Sequence, residues 1–173
     1  MAIMGGGADS LTVRAIQARD GATVVALARE LATHVGDPPP LLRASDLVRD
    51  SSGADRWFDC LVVEIAGEIV GYATASKAFE VHTGKRRLWL GDVYVRPSAR
   101  RNGAGRALVV ALARHALALG CDALYWELWR KNVEGAAFYR ELMAEEAADL
   151  AVMCLSADRL AAIVAGETPP KSQ

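Results

Sequence analysis

The order of apolar patterns predicts an α/β (α+β) fold. One mixed, mostly antiparallel central sheet would be flanked by helices, in the order β-α-α-β-β-β-α-β-α-β. Three observations predict it. Three β-rich runs follow one another between Phe58 and Val95, parted only by "AGE" and "VHTGKR", as in an antiparallel meander. Helix-spaced apolar segments stand before and after that meander. Helices and strands do not alternate strictly, as a doubly wound parallel sheet would require. The 173 residues suit one domain, set here at 10–165 between a flexible leader (1–9) and a flexible tail (166–173). A hydrophobic content of 52% is enough to fill its core.

Taken in order, "LTVRAI" (Leu11 to Ile16) alternates apolar and polar residues, a half-buried strand. In "RDGATVVALARELATHVG", Asp20 can cap a helix and Gly36 can end it. "DPPP" (Asp37 to Pro40) cannot continue that helix. Ser45 starts a short second helix through Arg49, and "SSGAD" is a loop. "FDCLVVEI" (Phe58 to Ile65) and "IVGYATASKAF" (Ile69 to Phe79) form a hairpin, and "RLWLGDVYV" (Arg87 to Val95) adds the third strand. A helix follows from about Gly103 to Leu119, closed by Gly120. "DALYWEL" (Asp122 to Leu128) reads as a strand, "NVEGAAFYRELM" (Asn132 to Met143) as a helix capped by Asn132, and "LAVMCLS" (Leu150 to Ser156) as a last strand. Ser156 starts a short terminal helix.

Composition excludes several classes of function. With 20 basic and 21 acidic residues the net charge is −1, so no nucleic-acid partner is expected. No apolar run approaches the roughly 20 residues of a membrane span, and the first residues lack the charged and apolar regions of a signal peptide, which points to the cytoplasm. Cys60, Cys121 and Cys154 lie far apart in apolar surroundings, without CxxC spacing, so they read as buried thiols rather than disulfide partners or zinc ligands. His34, His82 and His115 form no ligand pair, and no metal is implied.

The stretch between Val93 and Ala116 runs from strand to helix through "RPSARRNGAG". Gly103 and Gly105 permit close backbone approach and unusual dihedrals. Amides at a helix start lack internal acceptors, and with the helix dipole they form an anion site. Arg100, Arg101 and Arg106 add charge suited to a phosphate or pyrophosphate. A nucleotide P-loop would need GxxxxGK[ST], and a dinucleotide fingerprint would need glycine where Leu108 stands. Arg-x-x-Gly-x-Gly, at Arg100, Gly103 and Gly105, remains, with a plain basic surface turn as the bland alternative.

With these motifs the sequence resembles the GNAT N-acetyltransferase superfamily over almost the whole ordered chain. "RRNGAG", "EIVGYA" (Glu68 to Ala73) and "NVEGAAFY" (Asn132 to Tyr139) occur in the family's order, the last with its alanine shifted by one. Within the superfamily it resembles the diamine (spermidine/spermine) N-acetyltransferase branch, through "RELATH", "SDLVRDSSG", "FDCLVVEI", "GDVYV" and "RNGAG". The resemblance implies acetyl-CoA as co-substrate and a small-molecule primary amine, such as a polyamine, diamine or lysine analogue, as acceptor. It implies that the backbone of Val93, Tyr94 and Val95 pairs with the pantetheine arm. Arg100 belongs to the same motif, and the amides of Arg101, Asn102, Gly103, Ala104, Gly105 and Arg106 would hold the pyrophosphate. Asn132 would contact the pantetheine, with Gly135 and Phe138 on its helix, and Tyr139 would sit beside the thioester sulfur. The branch is dimeric, which implies a homodimer.

An amine must be neutral to attack, against a free pKa near 10.4, so a base is needed. A distorted strand near Val93 would supply N–H donors to the carbonyl oxygen, and Tyr139 a proton to the leaving thiolate. Direct transfer without an acyl-enzyme is expected.

The match departs in places. The diamine branch carries Glu-Asp where this chain has Gly91–Asp92, which leaves Asp92 as the nearest acid. His34 and Val35 stand where a second acid is expected, and Met143–Ala144 where the helix normally ends in glycine. Glu64, Glu80, Glu127 and Trp89 are possible replacements in the acceptor site. Trp57, Trp89, Trp126 and Trp129 read as core or dimer-interface residues before pocket residues. A protein or peptide acceptor, and a non-catalytic acyl-CoA-binding module, stand as alternatives.

Overall fold

The computed structural model describes residues 10–147 and 151–165. The expected leader and tail, and Leu150 at the start of the expected last strand, lie outside the described residues. The chain divides into two compact units, one ending at Asn132 and the other starting at Val133.

The first unit holds a five-stranded sheet in the order β1-β2-β3-β4-β5, with β1 Leu11–Ala15, β2 Asp59–Ile65, β3 Glu68–Glu80, β4 Lys85–Val95 and β5 Ala123–Tyr125. The first four strands pair antiparallel, and β5 pairs parallel to β4. A 3-10 turn, Ala18–Asp20, leads into α1, Gly21–Val35; α2 is Ala44–Ser51 and α3 is Ala104–Ala118.

Period-two patterning gives the sheet two apolar faces, and each has its own helix. On one face, Leu108, Leu112 and Ala116 of α3 repeat every fourth residue and pack on Val63, Ala73, Ala75, Leu88, Leu90 and Val95. On the other, Val24, Val25 and Leu27 of α1 and Leu47 of α2 cover Cys60, Val62, Ile69, Tyr72 and Tyr94. Gly71 permits this packing, because a Cβ there would lie 2.5 Å from the Tyr94 carbonyl oxygen.

The second unit holds α4, Val133–Glu141, and α5, Ala157–Val164. Here the expected order fails in one element. Residues 151–156 form no strand, and Val152, Met153 and Leu155 are exposed. A β-patterned segment becomes a strand only when a neighbour offers a ladder, and among the described residues none does. β5 is likewise three residues long rather than the seven expected.

Two smaller expectations are also corrected. Asp20 does not cap α1 with its side chain; its carboxylate accepts the Gln17 N–H at 2.7 Å and pairs with Arg14. Cys60 and Cys121 are buried, but Cys154 is exposed. Among the described residues no helix is long and apolar enough to cross a membrane.

Candidate functional site

β4 is interrupted in its middle. Ala75 pairs with Leu90 and Ala73 with Val93, so Thr74 alone stands opposite Gly91 and Asp92. This is a β-bulge, and one extra residue reverses the facing of everything beyond it. Leu88 and Leu90 face α3, and after the bulge Val93 and Val95 do so, while Tyr94 turns toward α1. Asp92 turns the same way, and its Oδ2 accepts the Tyr72 hydroxyl at 3.2 Å. Its own N–H donates to Thr74 Oγ1 at 2.9 Å.

Protein atoms crowd the Asp92 carboxylate although the residue keeps access to solvent. That burial pushes its pKa above the usual carboxylate range, and the bond from Tyr72 partly offsets the rise. The same negative charge acts on its neighbours. Burial first, and Asp92 second, raise Tyr72 and push the Cys60 thiol up to about 12. A thiol with that pKa stays protonated and is a poor nucleophile.

β4 also loses a neighbour at this point. β5 pairs only with Arg87, Leu88 and Trp89, so among the described residues no strand flanks that edge of β4 from Leu90 to Val95. The chain then passes through Pro97–Ala99, a 3-10 turn, into the basic loop. Arg100 Nε returns to the Val95 carbonyl at 3.0 Å, which fixes the loop to the strand end. Arg101 and Gly103 have left-handed backbones, φ 64° and 81°. These two reversals turn the loop into α3, whose first bond runs from the Ala107 N–H to the Gly103 carbonyl at 2.9 Å. The amides of Ala104, Gly105 and Arg106 therefore have no acceptor within the helix. Arg101, Asn102, Gly103 and Arg106 are exposed, while Ala104 is buried and anchors the helix start.

The structure thus brings Asp92, Val93, Tyr94, Val95 and the residues from Arg100 to Arg106 into one continuous strand–loop–helix segment. Asn132 ends the first unit. In the second, Gly135, Phe138 and Tyr139 lie on α4 at i, i+3 and i+4, hence on one helix face. Tyr139 is half-buried beside Phe138, ring centroids 5.0 Å apart, and burial pushes its pKa up to about 12.

The residues present fit an acyl-carrier thioester. Among the described residues no strand lies beside that edge, which suits an extended amide-bearing arm, and helix-start amides under two arginines suit a diphosphate.

Residues 27–143 match the Acetyltransferase (GNAT) family. The chain belongs to that family.

This acetyltransferase is 28% identical to thialysine N-epsilon-acetyltransferase of Sus scrofa over 79% of its own length and 85% of the relative's. It is 29% identical to spermidine/spermine N(1)-acetyltransferase-like protein 1 of Homo sapiens, over 68% of its length and 18% of that protein. Both likenesses lie in the diamine branch that the motifs pointed to. Among solved structures, an integron cassette protein from the mobile metagenome of V. cholerae superposes with a TM-score of 0.75 at 19% identity. That superposition covers 90% of this chain and 98% of the other, and shows the shared fold.

Several partners of the candidate site residues were hidden in the sequence. Tyr72 and Thr74 face Asp92 only because the strand register puts them there. Glu30, inside "RELATH", accepts the Tyr94 hydroxyl at 3.2 Å and Arg96 Nε at 3.1 Å, which ties α1 to the end of β4. His115, read as an isolated residue, bonds Asp59 at 2.9 Å. Of the suggested replacement acids, Glu64 is held by Arg14 and Glu80 by Arg87. Trp126 packs on the α3 side of the core, but Trp57 and Trp129 are not core residues, being 82% and 56% exposed. Trp57 borders a cleft of about 360 Å³ with Arg56, Phe58, Asp59, Ser76 and Lys77. Ser76 lies two residues along β3 from Thr74, and pairs with Trp89.

Proposed function

We propose that this acetyltransferase moves the acetyl group of acetyl-CoA directly to a primary amine of a small molecule. The amine favoured is a side-chain amine of the lysine-analogue type. The observation that carries the reading is the bulged strand, which ends in a basic glycine loop and has a carboxylate at the bulge. The reading takes residues 10–165 as one catalytic domain, since the family match continues past Asn132 to residue 143. It also takes the enzyme to be cytoplasmic and homodimeric, after the branch it resembles.

In this reading the amides from Arg101 to Arg106 bind the diphosphate, and Val93 to Val95 align the pantetheine, with Asn132, Gly135 and Phe138 contributing from the next segment. The thioester supplies an acetyl carbon open to attack. Asp92 accepts a proton from the ammonium, whose nitrogen then bonds that carbon as the carbon–sulfur bond breaks. The products are the acetamide, the coenzyme A thiol and one proton. Tyr139, at about 12, loses its proton uphill relative to a thiol near 8.5. Its part is to hold that proton on the departing sulfur while charge builds, and solvent supplies the lasting one. The protonated Cys60 supports transfer without an acyl-enzyme.

The acceptor class rests on charge. A polyamine needs several carboxylates along its length. The cleft beside Ser76 instead carries Arg56 and Lys77, and its Asp59 is already held by Arg56 and His115. Such a setting suits an acceptor that pairs one amine with a carboxylate, and the relative named for thialysine points the same way.

The test is coenzyme A release across thialysine, lysine, ornithine, spermidine and N-terminal peptides. Turnover is expected with the amino acids above spermidine. Tyr139→Phe is expected to lower kcat by about 10- to 100-fold with little change in KM for acetyl-CoA. Silence toward every amine, with acetyl-CoA still bound in calorimetry, would favour a non-catalytic binding module instead.

A further inference from the structure

We propose that Tyr72 and Thr74 of β3 are positioning residues that hold the bulge of β4 and aim Asp92, and that Gly91 is matched to Thr74. The proposal rests on the reading of Asp92 as the base.

The geometry is specific. In a bulge, one residue of the partner strand faces two, and the extra residue has lost its ladder partner. Here Thr74 is that single residue. Its hydroxyl takes over the missing ladder bond by accepting the Asp92 N–H at 2.9 Å. Two residues earlier on the same strand face, Tyr72 donates to the Asp92 carboxylate at 3.2 Å. Main chain and side chain of Asp92 are thus fixed independently, both from β3. Tyr72 is itself fixed: it is 2% exposed and lies 6.5 Å, centroid to centroid, from Tyr94.

Gly91 completes the arrangement by having no side chain. A Cβ there would stand 2.7 Å from Thr74 Oγ1. Thr74 is β-branched and its hydroxyl is engaged, so it cannot swing aside without releasing the Asp92 amide. Any side chain at position 91 is therefore incompatible with the threonine bond seen here. In this chain the work falls on Asp92 alone, held by two hydroxyls. Among the described residues, the titratable groups facing Asp92 are Tyr72 from β3 and Cys60 from β2; on the α1 side Glu30 is engaged by Tyr94 and Arg96.

The test compares Thr74→Ser, Thr74→Val, Tyr72→Phe, Gly91→Ala and Asp92→Asn in the full chain. Binding of coenzyme A by calorimetry and the melting temperature report integrity. Thr74→Val is expected to lower kcat by at least about tenfold with KM for acetyl-CoA nearly unchanged, and Thr74→Ser to stay within about threefold of the parent. Gly91→Ala is expected to lose activity in the parent and to add little further loss in a Thr74→Ala background, a non-additive pair. The carboxyl carbon of Asp92, followed by NMR in labelled protein, reads the same contacts without turnover. Tyr72→Phe removes a bond that favours the ionised form, so the titration moves to higher pH.

An unmoved titration in Tyr72→Phe overturns the proposal, as does equal loss in Thr74→Ser and Thr74→Val. An Asp92→Asn variant of full activity overturns the base reading and this proposal together. An inactive Asp92→Asn beside a fully active Thr74→Val overturns this proposal alone.

Discussion

Asp20 shows how one carboxylate can tie a strand to a helix start. It is 4% exposed and accepts Arg14 Nη1 at 2.6 Å, while the same guanidinium also bonds Glu64 on β2. The bond from Arg14 holds the Asp20 pKa below the usual carboxylate range. A lowered folded-state pKa stabilises above the unfolded value and is lost as pH falls through the folded one. Asp20→Asn is therefore expected to cost about 2 kcal/mol at pH 7 in denaturant unfolding, since it leaves the partly buried Arg14 underpaired. Its deficit against the parent should shrink as pH falls below about 4. A deficit constant from pH 7 to 3 would assign the effect to packing. At this scale, chemistry was legible and partnership was not. Asp92 stands out as the one acid beside the expected bulge. Its holders Tyr72 and Thr74 become visible only when Ala73 is set against Val93 and Ala75 against Leu90.

Elements follow from sequence where their stabilising contacts are local. The α3 start is written in Gly103, whose left-handed backbone and missing side chain suit the turn, and the end of α1 in Gly36, φ 82°. The meander from Asp59 to Val95 follows from three alternating runs and two short turns. Elements fail where a distant neighbour decides. "LAVMCLS" carries a strand pattern, yet residues 151–156 have no ladder among the described residues, and β5 ends at Tyr125 because β4 pairs with it over three residues only. Gly71 belongs to this scale as well. It looks like an ordinary glycine within a strand, but its Cβ position lies 2.5 Å from the Tyr94 carbonyl oxygen and 3.0 Å from Val95 Cγ2. Gly71→Ala must push β3 and β4 apart near the open edge. A loss of about 2 kcal/mol in stability is expected, with weaker binding of acetyl-CoA. Unchanged stability would mean that the two strands yield without cost.

For the molecule as a whole, three motifs in family order were enough to forecast the fold, because each fixes a junction of elements rather than one residue. The proposed acceptor surroundings were not legible, since they combine β2, β3 and β4 through long-range pairing. The donor side permits a test on the entire chain. Any ligand that binds the folded state alone stabilises it, by about 2.7 kcal/mol at a concentration 100 times Kd. For a chain of this size that corresponds to a rise in Tm of about 5–10 °C. Acetyl-CoA and coenzyme A should both give it, because the proposed donor site, loop amides and strand edge, would contact parts the two share. Gly103→Ala places a side chain at φ 81° and strains the loop by about 1 kcal/mol. It should lower the starting Tm and also reduce the rise, whereas Asp92→Asn should leave the rise intact. A protein whose Tm responds to neither thioester nor free coenzyme A would contradict the donor site itself, and with it every role assigned from Asp92 to Tyr139.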